Sequence, residues 1–153
     1  MQHPPPMTQH EIDALTPYLT VFRRPGFVAL LPPGQATYMR MYPAEVQQFR
    51  NRFFDICRCV HPYELLPEDP PWVEEGTGIT KFAFNIDAVK TASANQIRRM
   101  LMLCTRGEHF GFLTTGDLVA NGVIPAALER LLALRDEAPV GEPLPERGWF
   151  DAF

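Results

Sequence analysis

The chain is poor in the features that usually announce a function. It has three cysteines, Cys57, Cys59 and Cys104, in 153 residues. They are too few and too irregularly spaced for a disulfide framework, so a reducing cytoplasm is the expected setting. No apolar run approaches the roughly 18 residues that a membrane span requires. The first seven residues hold three prolines and no basic-then-apolar layout, which excludes the signal-peptide pattern. There is no glycine-rich phosphate loop, no nucleophile elbow and no paired-histidine zinc motif, which removes the commonest enzyme signatures. Nor is there an excess of base: the formal net charge is −4, whereas nucleic-acid-binding domains draw most of their affinity from a basic surface.

What is present suits one soluble globular domain. Apolar residues make up 46% and charged residues 21%, ordinary for a folded chain. Sixteen prolines are about twice the usual share, and with 11 phenylalanines they suggest short elements joined by stiff, ordered connectors. Charge is uneven along the chain. Arg98, Arg99, Arg106, Arg130 and Arg135 have few acids around them, whereas Glu64, Glu68, Asp69, Glu74 and Glu75 form an acidic stretch. Asp136, Glu137, Glu142, Glu146 and Asp151 dominate the end of the chain.

Residues 1–7 read as a flexible lead-in. Thr8-Gln9-His10-Glu11 then has the capping-box pattern, in which Thr8 accepts a backbone N–H and the Glu11 carboxylate reaches back. Ile12, Leu15, Leu19 and Phe22 follow at helical spacing, with Pro17 imposing a kink or a fresh start capped by Thr16. Pro25-Gly26 ends that element. Phe27 to Leu31 has β character. Pro43 looks like a first helical residue, and Val46, Phe49, Phe53, Cys57 and Val60 continue as an apolar stripe with Arg50, Arg52 and Asp55 off it. Residues 61–78, with four prolines and Trp72, read as an ordered loop whose aromatic and leucine side chains gain by packing. Phe82, Phe84 and Ile86 alternate as one short strand.

A second capping box opens at Ser93-Ala94-Asn95-Gln96. Ile97, Met100, Leu101 and Cys104 form the apolar face behind it. A short helix over about 114–121 is stopped by Gly122 as a left-handed cap. Pro125 then opens a last helix carrying Leu128, Leu131 and Leu132 and closing near Arg135. The expectation is a mainly α fold: one helical domain over 8–137, of four or five helices with at most a minor strand component and Pro-rich loops. An acidic, Pro-rich tail over 138–153 ends in aromatics. The core should contain Leu19, Phe22, Phe49, Phe53, Ile97, Met100, Leu101, Leu128 and Leu131.

Within residues 97–134, Arg106-Gly107-Glu108-His109-Phe110 is followed by Gly122, Ile124, Leu128, Arg130 and Leu131. Together these resemble an uncharacterised bacterial family, domain of unknown function 6508. The run from Tyr42-Pro43 through Val46 and Phe49 to Trp72 is similar more loosely, so the likeness covers the chain from about Leu15 onward. The family pattern ends its first motif in Arg-Phe, with Gly three positions after the Phe. Here His109 stands in place of that Arg and Leu113 in place of that Gly, which puts in doubt whatever the family does through those two positions. The resemblance implies a fold and a bacterial source, and no activity.

The strongest catalytic candidates are Arg106, Glu108 and His109, a guanidinium, a carboxylate and an imidazole at one helix end that could bind an anion or move a proton. The structural reading, in which they cap carbonyls and brace the next helix, is preferred. Cys57, Cys59 and His61 have ligand-like spacing, but no second ligand pair accompanies them, and Cys57 falls on an apolar stripe, where a free cysteine acts as a small hydrophobe. No metal and no cofactor is therefore expected. The last two helices resemble a helix-turn-helix in outline, yet the second begins Pro125-Ala126-Ala127-Leu128, without the polar residues that reach base edges. Trp149, Phe150 and Phe153 close the chain as candidate aromatic anchors for the protein's own body or for a partner protein. The reading that follows is a cytoplasmic protein-interaction or regulatory module rather than an enzyme. A small enzyme using Arg106, Glu108 and His109, or a nucleic-acid-associated protein, stands as the alternative.

Overall fold

The computed structural model describes residues 6–30, 42–57, 86–107 and 115–144, with residues 57 and 103–107 as backbone only. Its elements, in chain order, are α1 (Gln9–Leu15), α2 (Tyr18–Phe22), α3 (Ala44–Cys57), α4 (Ile86–Lys90), α5 (Ala94–Gly107), α6 (Thr115–Ala120) and α7 (Val123–Leu134), followed by a 3₁₀ turn, Arg135–Glu137. The fold is mainly α, with four helices of seven residues or more and no strand among the described residues.

Local sequence explains the helix ends. The Thr8 hydroxyl accepts the Glu11 N–H at 3.2 Å while the Glu11 carboxylate accepts the Thr8 N–H at 2.8 Å, the reciprocal arrangement expected of a capping box. Ser93 and Gln96 do the same at the start of α5, at 3.1 and 2.9 Å. Between α1 and α2, Thr16 and Pro17 keep helical dihedrals. Pro17 has no N–H to continue the ladder, and the Leu19 N–H turns to the Thr16 carbonyl at 3.0 Å. The Thr16 side chain makes no cap there. Pro43 stands one residue before α3, its carbonyl accepting the Gln47 N–H at 3.1 Å.

Helix α7 lies at the centre, touching α1, α2, α4, α5 and α6. Val123, Ile124, Pro125, Ala127, Leu128 and Leu131 are all buried on it. It starts two residues before Pro125, whose missing N–H falls among the first-turn donors that have no intrahelical partner in any case. Helix α3 packs on α1, α2, α5 and α6 through Val46, Phe49 and Phe53, each wholly buried. The α2–α3 contact is aromatic. Phe49 meets Tyr18 and Phe22 edge to face, with ring centroids 5.6 and 5.4 Å apart, and Phe22 meets Phe27 at 5.6 Å.

Four expectations need correction. Residues 27–30 form no strand, and the chain bends at Ala29 and Leu30. The chain turns at Gly26, where φ is +77°, and Ala29 and Leu30 then lie against Gly116. Ile86 opens α4 instead of ending a strand; Phe82 and Phe84 lie outside the described residues. Met7 belongs to the core, 2% exposed, with its N–H donated to Asn95 Oδ1 at 2.8 Å, so the lead-in ends before it. Leu19 is only partly buried, and Leu132 is 52% exposed, because α7 turns that edge away from its neighbours. The other eight expected core residues are buried.

Two substitutions test this packing. Leu128→Ala should cost about 2–5 kcal/mol in denaturant unfolding, whereas Leu132→Ala should stay within about 0.5 kcal/mol of wild type. Gly116→Ala should cost about 1–3 kcal/mol, since a Cβ there would stand 2.7 Å from the Ala29 carbonyl oxygen and 2.6 Å from Leu30 Cδ2.

Candidate functional site

The residues singled out from sequence fall unevenly on the structure. Arg106 lies in the last turn of α5 and Cys57 is the final residue of α3, both placed by backbone alone. Glu108, His109, Cys59, His61, Trp149, Phe150 and Phe153 lie outside the described residues. Among the described residues no group of three or more His, Cys, Asp or Glu side chains is arranged to hold a metal.

The helix-turn-helix outline can be judged in full. Helices α6 and α7 meet at Gly122, whose φ of +89° makes the left-handed corner expected of that glycine, and Asn121 Oδ1 accepts the Val123 N–H at 3.0 Å across it. The first turns of α7 then go inward: Val123, Ile124, Ala127 and Leu128 are wholly buried. A recognition helix must offer those positions to a groove. This one offers them to the protein core.

The run of arginines separates in the same way. Arg98 and Arg99 are 2% and 1% exposed and contribute no basic surface. Arg130 donates Nε–H to the Ala92 carbonyl at 2.9 Å, bracing the turn between α4 and α5 from α7. Arg135 pairs with Asp13 through two hydrogen bonds of 2.7 and 3.0 Å. No protein-family model matches the chain, and no curated protein or solved structure matches it either. The site is therefore built from its own geometry.

That geometry gathers at the start of α1. Glu11 Oε1 accepts the Thr8 N–H and lies 3.9 Å from Arg98 Nη1, where the two side chains are 15% and 3% exposed. The Met7 N–H reaches Asn95 on the first turn of α5. From the other end of the chain, the Pro139 carbonyl accepts the Gln9 N–H at 2.7 Å and the Ala138 carbonyl accepts the Gln9 side-chain amide at 3.1 Å. The cluster thus joins α1, α5 and the segment after α7. Its chemistry is architectural: the Glu11 carboxylate is already engaged as a cap. Sequence reasoning identified Glu11 as a cap and missed Arg98. One step along a helix is 100°, so Arg98 lies off the Ile97–Leu101 face and reads as solvent-facing; only a second covered side of α5, shown by buried Met102, reverses that.

The hydrogen bonds from Arg135 hold the Asp13 carboxyl below the usual aspartate range, opposed in part by desolvation and assisted by the charges of Arg135 and His10. Asp136 shares the Arg135 guanidinium at 3.2 Å.

Two measurements follow. Glu11→Ala should cost about 1–3 kcal/mol, since it strips a partly buried N–H of its acceptor and a buried guanidinium of a nearby counter-charge. Glu11→Gln keeps the cap and removes the charge, and should fall between Ala and wild type in urea unfolding; a Gln variant equal to wild type would show that the Arg98 pair contributes nothing. An NMR titration of Asp13 should give a midpoint below the ordinary aspartate value, returning to it in Arg135→Ala. A carboxyl lowered on folding stabilises the fold in full above its unfolded pKa, and that share is lost as pH falls through the lowered value.

Proposed function

We propose that this chain is a protein-interaction or regulatory binding module, with Trp149, Phe150 and Phe153 as its partner contact. The observation that supports the reading is how the helical body uses its charged side chains on itself. Arg135 holds Asp13, Arg23 holds Glu129 at 2.6 Å, Arg130 holds the Ala92 carbonyl and Arg98 faces Glu11. Groups spent in this way brace helices, which leaves recognition to the segments around the body. Tryptophan and phenylalanine there supply large contact area at low entropic cost.

The burial of Arg98 and Arg99 favours a protein over a nucleic acid as partner, because phosphate contacts need exposed cations. No helix among the described residues is long and apolar enough to cross a membrane, and a reducing cytoplasm remains the proposed setting. The likeness of Arg106 to Phe110, and of Gly122 to Leu131, to domain of unknown function 6508 extends the proposal to a bacterial family. The roles of Arg130, Gly122 and Leu131 as brace, corner and core support reading those positions as fold-defining. By analogy Arg106, Glu108 and His109 are read as bracing rather than catalytic.

The test is capture with the full chain as bait, beside a chain carrying Trp149→Ser, Phe150→Ser and Phe153→Ser. The triple variant should lose a partner held by wild type while its melting temperature stays within about 2 °C, the range of a surface change. A fall well beyond that with capture intact would place the aromatics on the protein's own body. Retention on heparin that drops steeply with salt would favour the nucleic-acid alternative.

A further inference from the structure

We propose that residues 138–144 form a latch, a strap that lifts from α1 as a unit while the helical body stays folded. Lifting frees the segment from Ala138 to Leu144. The strap is held by hydrogen bonds to α1 and by the partly buried Ala138 and Leu144 packed on the core. The Pro139 and Val140 carbonyls accept the Gln9 and His10 N–H groups at 2.7 and 3.5 Å, and the Ala138 carbonyl accepts the Gln9 side chain. Three residues before the strap, Arg135 grips Asp13 in the second turn of α1. Gly141 bends with φ of +72° against the Thr8 side chain, and Leu144 is partly buried on the core. Residues 139–143 are otherwise exposed, Val140 by 59%.

Two features make the strap separable. Segments held by a few solvent-accessible hydrogen bonds open at free energies far below that of global unfolding, whereas α1 itself is anchored by wholly buried Ile12 and Leu15. Helix α1 also keeps its own start when the strap leaves. The hydrogen bonds of the Thr8–Glu11 box and the Ile12 N–H to Thr8 carbonyl bond of 3.0 Å use no strap atom, although Gly141 touches the Thr8 side chain, and the released Gln9 and His10 donors pass to water. Freeing seven residues adds about 23–25 Å of reach to whatever follows Leu144. Its use in presenting the aromatic end rests on the binding-module reading; the latch itself does not.

Amide hydrogen exchange on the full chain without any partner tests the latch alone. In wild type the Gln9 N–H should exchange faster than the buried-core amides of Leu128 and Leu131. Asp13→Asn, which loosens the grip beside the strap, should accelerate Gln9 about 2–5-fold and leave Glu11 and Ile12 unchanged. Gly141→Ala, strained at its positive φ, should accelerate Gln9 about tenfold. Gln9 exchanging in step with the core, or Glu11 and Ile12 rising together with Gln9 in Asp13→Asn, would overturn the proposal by showing global opening or simple fraying of α1. Gln9 rates unmoved by both variants would overturn it equally.

Discussion

The structure depends on the need to cover the apolar side of α7. Val123, Ile124, Pro125, Ala127, Leu128 and Leu131 form that side while Glu129 and Leu132 face water, and burial of large aliphatic side chains contributes about 1.5–3 kcal/mol each. Helices α1, α2, α4, α5 and α6 are the cover. Several of them run only five to seven residues, lengths that do not hold in isolation, so their stability comes from packing on this centre. The left-handed corner at Gly122 and the bare α-carbon of Gly116 let α6 turn into α7 and approach residues 29 and 30 closely enough to close the shell.

Close packing has consequences for charge. Arg98 and Arg99 are carried inside by α5 because both flanks of the helix are covered, and a buried cation must have acceptors near it. Glu11 meets Arg98 while serving as the α1 cap, so one carboxylate ties a helix start to a helix interior. Arg130 and Arg135, on α7 and just beyond it, brace α4–α5 and α1 respectively. Among the described residues these arginines brace the helices against one another.

Met7 and the segment after α7 belong to the helical body more than their composition suggests. Met7 enters the core, and the Pro139 and Val140 carbonyls accept the Gln9 and His10 N–H groups at the start of α1. A helix start exposes donors without intrahelical partners. Here the side chains of a capping box satisfy part of the need and residues 139 and 140 satisfy the rest.

Much of this was legible along the chain, because helix starts and apolar stripes are local. Thr8 to Glu11, Ser93 to Gln96, Val46–Phe49–Phe53 and Leu128–Leu131 needed only neighbours within four residues to reveal their roles. Gly122 did too, since only glycine takes that corner without strain. Arg98, Arg99, Met7 and the Pro139 carbonyl carry no such local mark. Their surroundings come from elements dozens of residues away, and a helical face reads as solvent-exposed until a second neighbour covers it. Sequence alone thus determined that the fold is mainly helical and where α1 and α5 begin. The tertiary structure decided which charges are buried, why the run after Pro25-Gly26 bends instead of pairing as a strand, and where residues 138–140 are tied, because burial depends on partners that periodicity cannot name.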